Sequence, residues 1–236
     1  SFSERKLPAI FTLDSLGTEI ESIGEVSQAQ LEDEHTRQRV REYFKPCIGS
    51  HLEPEPLPHQ QRYSHTQALH YTGMLLSLVV EQIRAEKWRA SQFDESVRFN
   101  FAYPVHWRYQ QEGVILHDFE NTVKGCFPEN FHSQIDFIPE PEGAILSLNH
   151  HDLLDNSASA GVTLVVDVGG STSDIVAGQI DSRTGELLYL GRYGQPFGGG
   201  LYDAEMANYL VEALNIPAAD LSHDPAALIA LRVYGQ

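Results

Sequence analysis

Cys47 and Cys126 are the only cysteines in 236 residues. Two thiols cannot build a disulfide framework, and a reducing compartment is the simplest setting. Positive charge is also scarce, with 16 Lys and Arg against 33 Asp and Glu and a formal net charge of −17. Nucleic-acid affinity rests on neutralising phosphates, so this balance argues against general nucleic-acid binding. It suits a solvated acidic surface, cation binding or a basic partner. No apolar run approaches the roughly 18 residues of a membrane-spanning helix. The opening SFSERKLPAIF lacks the apolar region of a signal peptide. The expectation is a cytoplasmic protein with no membrane partner. No Gly-Lys-Ser/Thr follows a glycine loop, which excludes a P-loop. His51, His59, His65 and His70 lack zinc-motif spacing and no cysteine accompanies them, so they read as surface histidines.

What is present is a soluble-type composition, 42% hydrophobic and 21% charged, long enough for one large or two small domains. The most informative stretch is VTLVVDVGGSTSDIVAGQI, from Val162 to Ile180. Val162 to Val166 is a β-branched apolar run of strand length. Asp167 ends it, Gly169-Gly170-Ser171-Thr172 follow, and Ile175-Val176-Ala177 resume an apolar run after Asp174. Two strands joined by a glycine turn predict a β-hairpin. Gly169 and Gly170 can take positive φ and let backbone approach a ligand. Successive N–H groups in such a turn suit a phosphate. Ser171 and Thr172 add hydroxyls, and Asp167 could hold a hydrated Mg²⁺. Read by themselves, these residues also fit an ordinary hairpin with a solvated aspartate.

Along the chain, Leu7 to Leu13 and Ile20 to Gly24 predict two short strands around the turn Asp14 to Gly17. Glu25 to Tyr43 is polar and helix-compatible, with Ala29, Leu31 and Val40 as weak anchors. Residues 50–63 read as a Pro- and His-rich loop. The spacing of Leu69, Met74, Leu75, Leu78, Val79, Ile83 and Trp88 predicts a helix from His65 to Phe93 with a core-facing stripe. A strand is expected over Ser96 to Tyr103, then a helix from about Gln110 to Val123. A short strand over Ile135 to Ile138 precedes a helix opened by Pro139-Glu140-Pro141-Glu142, where acids favour the N-terminus. Asn149 to Ser159 reads as a polar loop. A third strand is expected at Leu187 to Leu190. Gly198-Gly199-Gly200 then precede a helix from about Tyr202 to Leu214, another anion-friendly start. Residues 216–236 read as a loop and a final helix.

Asp167-Val168-Gly169-Gly170-Ser171-Thr172-Ser173-Asp174 resembles the second phosphate-binding motif of the actin-like ATPase superfamily, and within it the 70-kDa heat-shock (DnaK-type) chaperone family. Other landmarks follow in the family's order. Phe44-Lys45-Pro46-Cys47-Ile48-Gly49 is similar to the segment around its catalytic lysine, and Tyr103-Pro104-Val105-His106-Trp107 to its V-P-A-Y-F strand end. Glu140-Pro141 is similar to its N-E-P-T-A-A segment, with Glu142 and Gly143 nearer a divergent E-P-E-A-A branch. Phe197-Gly198-Gly199-Gly200-Leu201-Tyr202-Asp203 is similar to its L-G-G-x-x-F-D helix start. Ile23 to Ala29 is loosely similar to its I-G-x-x-A segment. The likeness is patchy to about residue 95 and good from about 96 to 215. Pro46 stands where the family has an arginine, Glu112 falls where another is expected, and Ser171 is also altered.

The resemblance implies an α/β protein with actin-like ATPase (ribonuclease H-like) lobes, mixed sheets with flanking helices, the lobes being incomplete. Residues 1–95 would be the periphery of lobe I, 96–160 its core, and 161–236 the start of lobe II. It implies ATP or ADP with Mg²⁺ as cofactors. Lys45, Glu140, Asp167 and Thr172 would be catalytic, with Asp167 holding the metal through water. Gly169, Gly170, Ser171, Thr172, Gly198, Gly199 and Gly200 would line the nucleotide. The full-length protein would hydrolyse ATP, with protein clients or co-chaperones as further partners. The 236 residues, expected to be an internal fragment, would bind nucleotide weakly alone. The alternatives are a non-catalytic nucleotide sensor or interaction scaffold, and an actin-like sugar or small-molecule kinase.

Overall fold

The computed structural model describes residues 11–23, 33–41, 44–49, 63–87, 97–150, 161–181, 184 and 187–215. The expectations for residues 24–29, 50–62, 88–93, 151–159 and 216–236 lie outside them. The protein is a mixed α/β chain with three small sheets among the described residues. It divides into two units, Ser1–Ile83 with Leu201–Gln236, and Arg84–Gly200. No helix among the described residues is long and apolar enough to cross a membrane.

In the first unit β1 (Phe11–Leu13) is the centre of an antiparallel sheet, flanked by β2 (Ile20–Ile23) and β3 (Val40–Arg41). The expected turn between β1 and β2 forms because the Asp14 carboxylate accepts hydrogen bonds from the Thr18 and Glu19 amides, at 2.7 and 3.1 Å. A continuous helix to Tyr43 does not form. Only α1 (Glu34–Arg37) is helical among the described residues there, and Val40–Arg41 is a strand. Val40 is buried opposite Thr12, and Arg39 donates to Glu21 at 2.7 Å and to the Leu13 carbonyl at 3.2 Å. Burial against β1 overrides a helix pattern that had few apolar anchors. In α2 (His65–Lys87), Ala68, Leu69 and Val80 are buried, and Met74, Leu75, Leu78, Val79 and Ile83 are half-buried. Tyr71 packs edge-on against Phe11, Phe44 and Tyr63, with ring centroids 6.0, 6.2 and 5.2 Å away.

The second unit holds a parallel pair and a meander. The strands β4 (Phe99–Tyr103) and β5 (Ile135–Pro139) run parallel, with Phe99 opposite Ile135 and Tyr103 opposite Pro139. Between them α3 (Val114–Gly125) buries Ile115, Phe119 and Val123, one face at four-residue spacing. The helix begins at Val114 rather than Gln110. Gln111, Glu112 and Gly113 have φ of 48°, 56° and 86°, a left-handed run that cannot continue into a right-handed helix. Glu112 therefore sits in a turn. After β5 comes α4 (Glu140–His150), which takes up Asn149 and His150 from the expected loop.

The strands β6 (Thr163–Val168), β7 (Ser173–Ile180) and β8 (Leu187–Gln195) form an antiparallel meander. The strand β8 runs past Leu190 to Gln195, because Gly191 to Gln195 keep pairing with Ala177 to Ser173 beyond a bulge. Buried Val105, Ile145 and Val176, with Val165 and Tyr189 packed on them, join the meander to α4 and to the 3₁₀ turn after β4. Leu164, Val166, Val168, Leu188 and Tyr193 on the meander's other face are more than half exposed. The parallel pair and the meander lie in the same unit.

Candidate functional site

The expected β6–β7 hairpin forms, with Asp167 opposite Asp174 and Val168 opposite Ser173. The Gly169 amide donates to the Thr172 carbonyl at 2.9 Å, leaving Gly170 and Ser171 at the tip. Positive φ was open to Gly169 and Gly170, but among the described glycines it occurs only at Gly17, Gly49 and Gly113. The hairpin is closed without left-handed backbone at either glycine. A Cβ on Gly170 would meet no atom within 4 Å, and this residue is exposed. Gly170→Ala is therefore expected to leave unfolding free energy within about 0.5 kcal/mol of wild type, as urea titration would show.

The second glycine cluster lies directly against this turn. A Cβ on Gly198 would lie 2.5 Å from the Gly169 carbonyl oxygen, 2.6 Å from the Ser171 nitrogen and 2.7 Å from the Gly170 carbonyl carbon. Its neighbour Gly199 opens α5 (Gly199–Ala213) and donates its amide to the Gly169 carbonyl at 2.9 Å. The Ser173 hydroxyl donates to the Phe197 carbonyl at 2.6 Å. Phe197 to Gly199 thus brace the turn, and the Gly199 amide, expected to face phosphate, is already engaged. Gly200 follows in the first turn of the helix.

Asp174, which the sequence reading did not single out, is the hub of the site. It is 1% exposed, and its Oδ1 accepts the Val105 amide at 2.9 Å across 69 residues of sequence. That bond ties the start of β7 to the C-terminal end of β4, just past the fully buried Pro104. Gly194 lies opposite Asp174 on β8, and a Cβ there would run into the Asp174 carboxylate and come within 2.9 Å of the His106 nitrogen. The Thr172 hydroxyl also hydrogen-bonds Asp174. Burial raises the Asp174 carboxyl above its ordinary value; the Val105 amide opposes this, the Glu140 charge adds to it, Thr172 opposes it and the Asp167 charge adds again. Glu140 and Asp167 are thus both electrostatically coupled to Asp174.

The sign of the pH effect follows. A carboxyl whose folded value lies above its unfolded 3.8 binds its proton first in the folded state. Its burial penalty is present at neutral pH and relieved as pH falls through the raised folded value. Asp174→Asn keeps an oxygen for Val105 but cannot titrate. Stability measured from pH 7 downward, wild type minus Asp174→Asn, should therefore rise in favour of wild type as pH approaches 3.8. A flat difference would contradict the assignment.

The remaining expected residues are distributed as follows. Glu140 is half-buried as the first residue of α4, at the C-terminal end of β5. Asp167 is half-buried, and Thr172 is buried. Lys45 is exposed and starts a 3₁₀ turn, Lys45–Cys47, in the first unit, whereas all the others named here lie in the second. The His65 Nδ1 accepts the Gly49 amide at 3.0 Å, a structural role in place of a solvated one. Among the described residues no group of three or more His, Cys, Asp or Glu could hold a metal directly. Contact through water at Asp167, the expected mode, needs no such cluster.

No protein-family model and no curated protein matches the chain.

Proposed function

We propose that the β6–β7 turn receives the phosphates of ATP or ADP, and that Asp167 steadies Mg²⁺ through its water shell. The protein would be an ATP-hydrolysing, chaperone-like switch of the 70-kDa heat-shock kind, an actin-like ATPase acting on protein clients. The observation that carries this reading is the convergence of both glycine clusters at the end of the unit where Asp167 and Glu140 act on Asp174. A turn held from beneath by Gly198 and Gly199 presents its exposed tip without reorganising when an anion arrives, which is what electrostatic preorganisation requires. Open space beside Gly170 admits a bulky ligand. The facing carboxylates of Asp167 and Asp174 repel one another, and a cation relieves that. Bound Mg²⁺ would neutralise charge on the transferred phosphate. In this scheme Glu140 would orient the attacking water.

One observation favours a second reading, a nucleotide sensor without turnover. The Thr172 hydroxyl is bonded to Asp174 and the Gly199 amide to Gly169, which removes two donors from a ligand. Calorimetry and phosphate release with the protein and Mg-ATP separate the two. Binding with turnover supports the ATPase, binding without turnover supports the sensor, and absence of binding contradicts both.

A further inference from the structure

Glu142 reads from sequence as an ordinary acid in the first turn of a helix, yet it is 6% exposed. Its Oε1 lies 2.5 Å from Nη2 of Arg192 on β8, with side-chain exposures of 8% and 18%. The Arg192 guanidinium carbon stands 3.8 Å above the Tyr189 ring centroid, a stacked cation–π arrangement. Tyr189 in turn hydrogen-bonds Glu142, and its hydroxyl is pushed up to about 12, by burial first and by Glu142 second. A salt bridge this dry is a poor way to add stability, because desolvating both ions offsets most of their attraction. Apolar residues would do as well. What it does provide is a buried charge contact between two elements, one charge on each. Those elements are α4, which begins with Glu140, and the meander, which carries Asp167 and Asp174.

We propose that Glu142 and Arg192, with Tyr189 beneath the guanidinium, form a latch that positions Glu140 against the β6–β7 hairpin. The latch is built from residues two positions along α4 from Glu140 and two along β8 from Gly194, the strand partner of Asp174. It fixes the rotation of the first turn of α4 relative to the sheet, and thereby the reach of the Glu140 carboxylate. This deepens the phosphate-site reading and rests on it for its catalytic consequence. Glu142 and Arg192 are positioning residues that need touch no ligand.

The test is a double-mutant cycle in the protein: Glu142→Met, Arg192→Met and the pair together. Each single variant strands a buried charge and should lower the thermal midpoint, and the double should recover most of the loss. With stability restored, the double is still expected to turn over Mg-ATP about tenfold or more slowly, at nearly unchanged nucleotide affinity. Recovery of turnover along with the midpoint would overturn the latch and leave a purely structural pair. If the wild type neither binds nor hydrolyses Mg-ATP, the phosphate-site reading fails and the latch is decided by amide hydrogen exchange. The double should then exchange about tenfold faster than wild type at both Ile145 in α4 and Val176 in β7. Unchanged exchange at those two sites would overturn it.

Discussion

Gly198→Ala is expected to destabilise the protein by about 3 kcal/mol, the upper end of ordinary overpacking. The added methyl would sit 2.5–2.7 Å from three backbone atoms of the Gly169–Ser171 turn. Backbone atoms cannot rotate aside as a flexible side chain can. Either the hairpin tip or the start of α5 must move, and movement breaks the Gly199–Gly169 and Ser173–Phe197 hydrogen bonds. For a chain of this size the midpoint should fall by roughly 6–12 °C. The contrast with Gly170→Ala, one alanine on each face of the same turn, separates a glycine kept for packing from one that leaves room for a ligand.

Asp167→Asn is expected to separate stability from function in the opposite sense. The substitution removes a charge that faces Asp174 across the ladder and helps to raise its carboxyl. Like charges directly opposite on neighbouring strands repel, so the neutral variant should be as stable as wild type or slightly more so. ATP turnover, if Asp167 steadies the metal, should fall by about a hundredfold or more, the scale seen when one preorganised electrostatic contact is lost. Unchanged turnover would remove Asp167 from the site. Unchanged turnover with raised stability would leave the aspartate pair without a catalytic reason.

The hairpin was legible because its information is local. β-branched runs from Val162 to Val166 and from Ile175, with a glycine turn between, point to a hairpin with no distant help. The helix α4 was equally readable from Pro141 and its acids. What escaped depends on partners far along the chain. Asp174 looks like a strand residue until Val105 is brought to it, and Gly194 is the one nearby trace, an unfilled position where the carboxylate needs space. Glu142 matches two explanations, a helix-start acid and a buried ion pair, and only Arg192 decides between them. Val40 was misread because a lone β-branched residue in a polar stretch does not announce burial against β1. The late start of α3 came from left-handed Gln111 and Glu112, whose only local sign is Gly113.

The most direct measurement is amide hydrogen exchange across the β6–β7 hairpin of the protein, with and without Mg-ATP. Slower exchange centred on Gly169 to Thr172, abolished by Asp167→Asn, is the predicted result. Tight Mg-ATP binding that leaves those four amides unchanged would contradict a phosphate site at this turn.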